Sequence, residues 1–342
     1  MTMIPAKMKA MAATAFSLDA ITQHALDVPV PRRGDILVKV SAASLNYRDL
    51  AVLSGKYIPG LPMPLVPASD ACGTVVALGE GVTEWKIGDR VAPIYTQGWH
   101  DGLPTVQQRT RQTLGAPLSG VLQQYIAVPA IDAVAPPASL SDIEVATLPI
   151  AALTAWTTLQ EGGVKPGDTV LLQGTGGVSL FALQFAKAAG ARVIITSSSD
   201  EKLTRARALG ADDTINYRSN PDWELAAKEM TGGRGVDIVV ETAGATLSKS
   251  LAATAFGGFV GVVGFVAGPE ATISLRQLFG PLIRVQGIAV GSKARFEQMN
   301  RAIEHHRLKP VLDQVFALDD AQAAFKHMES GAHFGKVVIS GF

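Results

Sequence analysis

A single cysteine, Cys72, stands among the 342 residues, so neither an intrachain disulfide nor an all-cysteine zinc site can form within the chain. Net charge is missing too: 30 basic residues balance 30 acidic ones, with no basic stripe. Nucleic acid is therefore not an expected partner, because phosphate contacts supply most of that affinity. There is no sustained heptad, no internal repeat, and no low-complexity segment beyond Ser197-Ser198-Ser199. With 47% hydrophobic residues and 34 irregularly spaced glycines, coiled coil, disorder and collagen are excluded. The one long uncharged run, Ser250 to Pro269, is cut by Gly257-Gly258 into a helix-like and a strand-like half, so no membrane span is expected. Met1 to Lys9 has lysines but no apolar h-region; a soluble cytoplasmic protein is the default expectation. The histidines, His24, His100, His305, His306, His327 and His333, show no metal-ligand spacing.

What is present divides into two rhythms. From Lys9 to about Val128, short β-type runs such as Asp35-Ile36-Leu37-Val38-Lys39-Val40 are broken by Gly and Pro, as in a compact barrel-like domain. From about Thr154, apolar strand, glycine turn and amphipathic helix alternate, the pattern of a parallel sheet covered by helices. Expected strands are Thr169 to Gln173, Arg192 to Thr196, Asp213 to Asn216, Val236 to Glu241, Gly258 to Val263 and Val285 to Val290. Helices are expected at Val178 to Ala189, Asp200 to Leu209 (with Asp200 as N-cap), Asp222 to Met230 and Thr246 to Ala255. Six strands with four crossover helices predict a doubly wound domain. The last fifty residues return to helix and strand, ending in Lys336 to Ser340, which can rejoin the first domain.

The most informative stretch is Gln173-Gly174-Thr175-Gly176-Gly177-Val178-Ser179, between an expected strand and an expected helix. Such a turn aims unsatisfied backbone N–H groups and the positive helix end at one spot, which suits a pyrophosphate. Gly174 permits the tight turn, Gly176 lets backbone approach phosphate, Gly177 adds room, and Val178 begins the helix. Ser179 replaces the third fingerprint glycine with another small residue. An acid at the end of the next strand would bind ribose hydroxyls and repel a 2′-phosphate. Ser197 stands there instead, and Lys202, Arg205 and Tyr217 can offer charge or a donor to a 2′-phosphate. NADP(H) is expected, with NAD(H) the alternative; Lys202 and Arg205 also suit a plain solvated helix face.

The motifs Ser44-Leu45-Asn46-Tyr47-Arg48-Asp49, Val66-Pro67 to Gly73, Lys86-Ile87-Gly88-Asp89-Arg90-Val91, Leu148-Pro149 to Thr154-Ala155-Trp156 and Gly335-Lys336-Val337-Val338 span nearly the whole chain. Together they resemble the medium-chain dehydrogenase/reductase superfamily, in its zinc-independent quinone oxidoreductase and alcohol dehydrogenase-like branch. The resemblance implies an α/β protein: a GroES-like β-barrel-type catalytic domain, 1–150 completed by 292–342, and a Rossmann domain with a doubly wound parallel sheet, 151–291. Where zinc-dependent relatives carry metal ligands, this sequence has Asn46, Ser69-Asp70 and Ile150, with no thiolate or imidazole; no zinc and no metal residue are expected. In place of the structural-zinc lobe runs Tyr95 to Tyr125.

Without a metal, hydrogen-bond donors or a proton source must stabilise charge on the acceptor. Asn46 and Tyr57 are the leading candidates: the resemblance implies that their positions, in Asn-x-x-Asp and Ser-Gly-x-Tyr, line the cofactor and substrate cleft. There Asn46 can polarise a carbonyl and Tyr57 can donate a proton or shape the pocket, against readings as a turn-capping amide and a half-buried barrel residue. It also implies cofactor contacts at Asn46, Thr154, Ala243, Phe265 and Lys336, the last near the pyrophosphate or nicotinamide ribose. Asp49 is expected to anchor its loop on Arg48, His100 to be plain surface, and Cys72 a small buried residue. The function expected is hydride transfer from NADPH to a quinone, an α,β-unsaturated carbonyl or a simple carbonyl. Rivals are an alcohol dehydrogenase or carbonyl reductase, and a cofactor-binding regulatory or structural protein without turnover. A homodimer, paired through the short, uncharged edge near Val285 to Val290, is expected by family analogy.

Overall fold

The computed structural model describes residues 3–58 and 60–342. The chain forms two compact units, Met1–Ile150 with Ser292–Phe342, and Ala151–Gly291.

In the second unit six parallel strands lie in the order Asp213–Asn216, Arg192–Ser197, Thr169–Gln173, Val236–Glu241, Thr254–Val262, Arg284–Gly287. Val170, Leu171, Leu172, Val193, Ile194, Val239 and Val240 are fully buried, as continuous apolar strands covered on both faces must be. The order reverses between Thr169–Gln173 and Val236–Glu241, which makes their carboxyl ends the expected ligand crevice of a doubly wound sheet. Two expected strands differ. Thr254–Val262 starts four residues early because Thr254 already pairs with Val236 before the Gly257 bulge. The last strand is Arg284–Gly287, not Val285 to Val290: the chain leaves the ladder after Gly287, and Val290 takes a left-handed φ of 65°. Arg284, its guanidinium 5.1 Å from the Phe259 ring centre, puts a cation on an edge expected to be uncharged. The helix Asp200–Ala208 is capped by the Ser199 hydroxyl, which accepts from Lys202 N–H, rather than by Asp200.

The first unit is built on a seven-stranded sheet in which Asp35–Ser44 is central. Asp70–Leu78 and Lys336–Ser340 both pair with it antiparallel, from opposite sides. In antiparallel pairing the start of one strand meets the end of its neighbour. Asp70, first in its strand, therefore pairs with Ser44, while Val338 pairs with Ser44 on the other side and so carries Lys336 alongside Asn46. Sequence-distant polar residues thus flank the end of the central strand, above a core that includes Val38, Val40, Val75, Val91, Ile126, Phe325 and Ile339. No helix among the described residues is long and apolar enough to cross a membrane.

Candidate active site and dinucleotide-binding turn

In the second unit, Gly174 takes φ +73° and so needs no side chain. Gly176 is the N-cap of the helix Gly177–Ala188, with Val178 in its first turn. A Cβ built at Gly176 would meet nothing within 4 Å, so open space adjoins the start of the helix, whose first N–H groups have no intrahelical partner. The residues present fit a dinucleotide pyrophosphate. Ser179, in the third glycine's place, is buried and its hydroxyl donates to the Gln173 carbonyl oxygen at 2.6 Å, holding the helix against the strand end.

Sequence reasoning missed what fixes this end of the sheet. Glu241, fully buried at the end of its strand, accepts from Ala243 N–H and Gly244 N–H (2.9 Å each), Gln173 Nε2 (2.7 Å), and the Ser250 and Thr246 hydroxyls. Gln173 Oε1 accepts in turn from Thr242 and Ala243 N–H. This network ties the loop carrying Ala243 to the turn carrying Gly174. The available signal was a polar residue ending each of two apolar strands.

Ser197 is buried, and its carbonyl accepts from Tyr217 N–H at 3.0 Å, so the two residues expected near the adenosine ribose stand together. Asp200, the nearest acid in sequence, accepts from Asn216 Nδ2 at 2.8 Å. Lys202 lies in the first turn of its helix. Thr154 is buried on the helix Leu153–Gly162, and Phe265 is 40% exposed.

In the first unit, Asn46 precedes the helix Tyr47–Leu53. Its backbone N–H goes to Asp49 Oδ2 (2.8 Å), and Asp49 N–H returns to the Asn46 carbonyl (2.9 Å). With the backbone capped by Asp49, the Asn46 amide is released for other partners. Nδ2 donates to Asp70 Oδ2 at 2.9 Å, and Oδ1 accepts from Lys336 Nζ at 2.7 Å. Asp70 Oδ2 also accepts from Ile150 N–H at 3.2 Å, and Lys336 donates to the Leu45 carbonyl. Burial pushes the Asp70 carboxyl up to about 7, against the opposing pull of Lys336 and Asn46. Burial likewise raises Asp49 and lowers Lys336. Lys336, expected near the cofactor's pyrophosphate or nicotinamide ribose, is only 3% exposed, with its ammonium bonded inside its own unit.

Asp49 is anchored differently from the expectation: it is held by Asn46 N–H and the Ser69 hydroxyl (3.3 Å). Arg48 instead donates to Ser69 Oγ (3.0 Å), the Leu114 carbonyl (3.1 Å), Thr113 Oγ1 and the Ala116 carbonyl. Its guanidinium lies 5.5 Å from the ring centre of Tyr57, which is 37% exposed, and 5.0 Å from that of Tyr95. Arg48 therefore clamps the Tyr95 to Tyr125 segment onto the helix behind Asn46. His100 pairs with Asp132 at 2.7 Å instead of standing alone on the surface. Cys72 is fully buried, as expected.

Asn46, Asp70 and Ile150 do come together, but the donors do not fit zinc. The amide oxygen is engaged by an ammonium, Ile150 contributes a backbone donor, and Asp70 alone offers a carboxylate oxygen.

A doubly wound dinucleotide sheet joined in one chain to a barrel-type unit with a buried polar cluster defines a pyridine-nucleotide oxidoreductase. Residues 32–138 match the family described as alcohol dehydrogenase GroES-like domain, and residues 177–305 that described as zinc-binding dehydrogenase. A zinc-type alcohol dehydrogenase-like protein of Schizosaccharomyces pombe is 45% identical, over 90% of each chain. Similar crystal structures include a presumed alcohol dehydrogenase from Sinorhizobium meliloti 1021, with 42% identity, a TM-score of 0.93, and 99% of this chain and 100% of that one covered. An NAD-dependent alcohol dehydrogenase follows at 34% and 0.88, covering 98% and 100%. A quinone oxidoreductase from Coxiella burnetii matches at 26% and 0.80, with the same coverage. The chain belongs to the medium-chain dehydrogenase/reductase superfamily, as an alcohol dehydrogenase-like oxidoreductase.

Proposed function

We propose that the chain transfers a hydride between NADP(H) and a simple carbonyl, an α,β-unsaturated carbonyl or a quinone, without zinc. The Asn46 amide carries this reading. Oδ1 is taken by an ammonium and one Nδ2 hydrogen by Asp70, which leaves the second N–H without a protein partner among the described residues. A fixed donor of this kind stabilises the charge that develops on an acceptor oxygen, and loss of one such donor costs roughly 10²–10³-fold in kcat. The reduced nicotinamide supplies the hydride; a proton completes the product, and Tyr57, partly exposed beside the Arg48 guanidinium, is the residue proposed to give it.

The preference for the 2′-phosphorylated cofactor rests on Ser197 in the acid's usual place, on Asp200 being engaged by Asn216, and on Lys202, Arg205 and Tyr217 nearby in sequence. The names of the similar proteins favour a C=O/alcohol pair within the substrate range. A second copy of the chain is the partner proposed for the Arg284–Gly287 edge, on which Val285 is exposed; light scattering decides this. The function itself is tested by a screen of NADPH oxidation over quinones, enals and ketones, with product analysis for each acceptor that responds. In Asn46→Ala, turnover is expected to fall roughly 10²-fold or more while NADPH still binds. NADPH binding without turnover across the panel would make the chain a cofactor-binding regulator, and clearly tighter NADH binding would overturn the cofactor assignment.

A further inference from the structure

Side-chain amides are normally ambiguous, since oxygen and nitrogen occupy equivalent positions. Asn46 is not. Lys336 can only donate, so the atom 2.7 Å from its Nζ is the amide oxygen; the atom 2.9 Å from Asp70 Oδ2 is then the nitrogen. The two charged groups make no direct ion pair with each other among the described residues; their attraction runs through the amide between them. Asp70, Asp49 and Lys336 are 0%, 2% and 3% exposed, whereas Asn46 keeps 8%. The most exposed member of the cluster is thus the one with an N–H to spare. Buried charge of this sort contributes little stability compared with apolar packing. What it does supply is a unique orientation.

We infer that Lys336 and Asp70 are positioning residues: they lock the Asn46 amide so that it presents an N–H, never its C=O, to the acceptor oxygen, and Lys336 does not hold cofactor phosphate. The strand register makes this possible: Asp70 and Val338 pair with Ser44, which ends the central strand, from opposite sides, and Lys336, two residues before Val338, thereby comes alongside Asn46. Without the ammonium, a half-turn of the amide would aim a carbonyl at a developing negative charge. Donor catalysis would become repulsion. This inference rests on the reading of Asn46 as the acceptor's donor, and it assigns the cluster a role that a cofactor-phosphate lysine would not have.

The test compares wild type with Lys336→Met, Asp70→Leu and Asp70→Asn in three readouts. One is the dissociation constant for NADPH from fluorescence titration. Another is kcat and KM separately, with an acceptor that responds. The third is the Asn46 side-chain NH2 pair in ¹⁵N–¹H spectra, identified by its absence from Asn46→Ala. Lys336→Met is expected to lower kcat roughly 10²-fold, the cost of a misplaced catalytic group, to change NADPH affinity less than twofold, and to shift the Asn46 NH2 pair. Asp70→Leu is expected to shift the same pair and lower kcat at least tenfold. Asp70→Asn keeps an acceptor oxygen for both Asn46 and Ile150 and is expected to recover most of that loss. A tenfold or greater rise in the NADPH dissociation constant with kcat unchanged would make Lys336 a phosphate ligand and overturn the inference. An NH2 pair unmoved in both Lys336→Met and Asp70→Leu would overturn it as well. Should wild type reduce none of the acceptors, the proposed function fails, while the spectra still decide whether Lys336 and Asp70 orient the amide.

Discussion

Replacing Glu241 by glutamine keeps the shape of the side chain and changes only what its atoms can accept. In the native structure both carboxylate oxygens face donors: Oε1 takes Ala243 and Gly244 N–H, and Oε2 takes Gln173 Nε2 and the Ser250 hydroxyl. A glutamine must set an NH2 group at one of those positions. Placed at Oε1, it meets two backbone N–H groups that cannot turn away. Placed at Oε2, it meets Gln173 Nε2, and Gln173 cannot flip because its own oxygen serves Thr242 and Ala243 N–H. Ala243 N–H keeps Gln173 Oε1 and Gln173 Nε2 keeps the Ser250 and Thr246 hydroxyl oxygens, but either arrangement still leaves at least one buried donor unsatisfied, at about 1–3 kcal/mol, so about 1 kcal/mol is the least expected loss. For a unit of this size that corresponds to a fall of at least about 2 °C in the melting temperature. Thermal unfolding followed by far-UV circular dichroism, with wild type in parallel, measures it. Because the network also ties the Ala243 loop to the Gly174 turn, NADPH affinity is expected to weaken in the folded variant. A Glu241→Gln protein melting within a degree of wild type would refute the reasoning.

Gly176→Ala is the converse case: the new methyl meets no protein atom and the backbone φ of −81° suits alanine, so stability is expected to hold within about 1 kcal/mol. NADPH affinity, measured by titration, is expected to drop at least tenfold, because the methyl occupies the space that suits a pyrophosphate. Asp70 gives a pH dependence. Its folded-state pKa, near 7, lies above the ordinary 3.8, so between those values the folded state binds more protons and wild type loses stability as pH rises. In urea unfolding at pH 5 and pH 7.5, Asp70→Asn is expected to lose less over that interval than wild type; equal slopes would contradict the assignment. Arg48→Met removes the donors to the Leu114 and Ala116 carbonyls, and limited proteolysis is expected to cut faster within Tyr95 to Tyr125.

The doubly wound sheet was legible because its signals are local. Apolar strands covered on both faces read as unbroken runs, and Gly174, Gly176 and Gly190 punctuate them; Thr169–Gln173, Asp213–Asn216 and Val236–Glu241 have the expected bounds. The last strand was misplaced because Val285, Ile288, Ala289 and Val290 read as one mostly apolar run across Gln286-Gly287, whereas the ladder register ends at Gly287 and Val290 takes a left-handed φ. In the first unit the family motifs pointed to Asn46 and Lys336, but separately. Their contact depends on register between strands nearly three hundred residues apart, which composition cannot encode. Asp49 was paired with Arg48 on adjacency alone. The helix turns neighbouring side chains about 100° apart, and each found partners elsewhere. Glu241 and Gln173 were read as strand ends, since a buried polar pair is recognisable only once the strands lie side by side.

The central claim is that protein hydrogen bonds, with no metal assisting, carry the hydride transfer. Its most direct test is acceptor-dependent NADPH oxidation by protein dialysed against a strong chelator, with metal content determined on the same sample. The account predicts undiminished turnover at substoichiometric zinc, and no gain when zinc is restored. Activity that disappears on chelation and returns with one zinc per chain would contradict it.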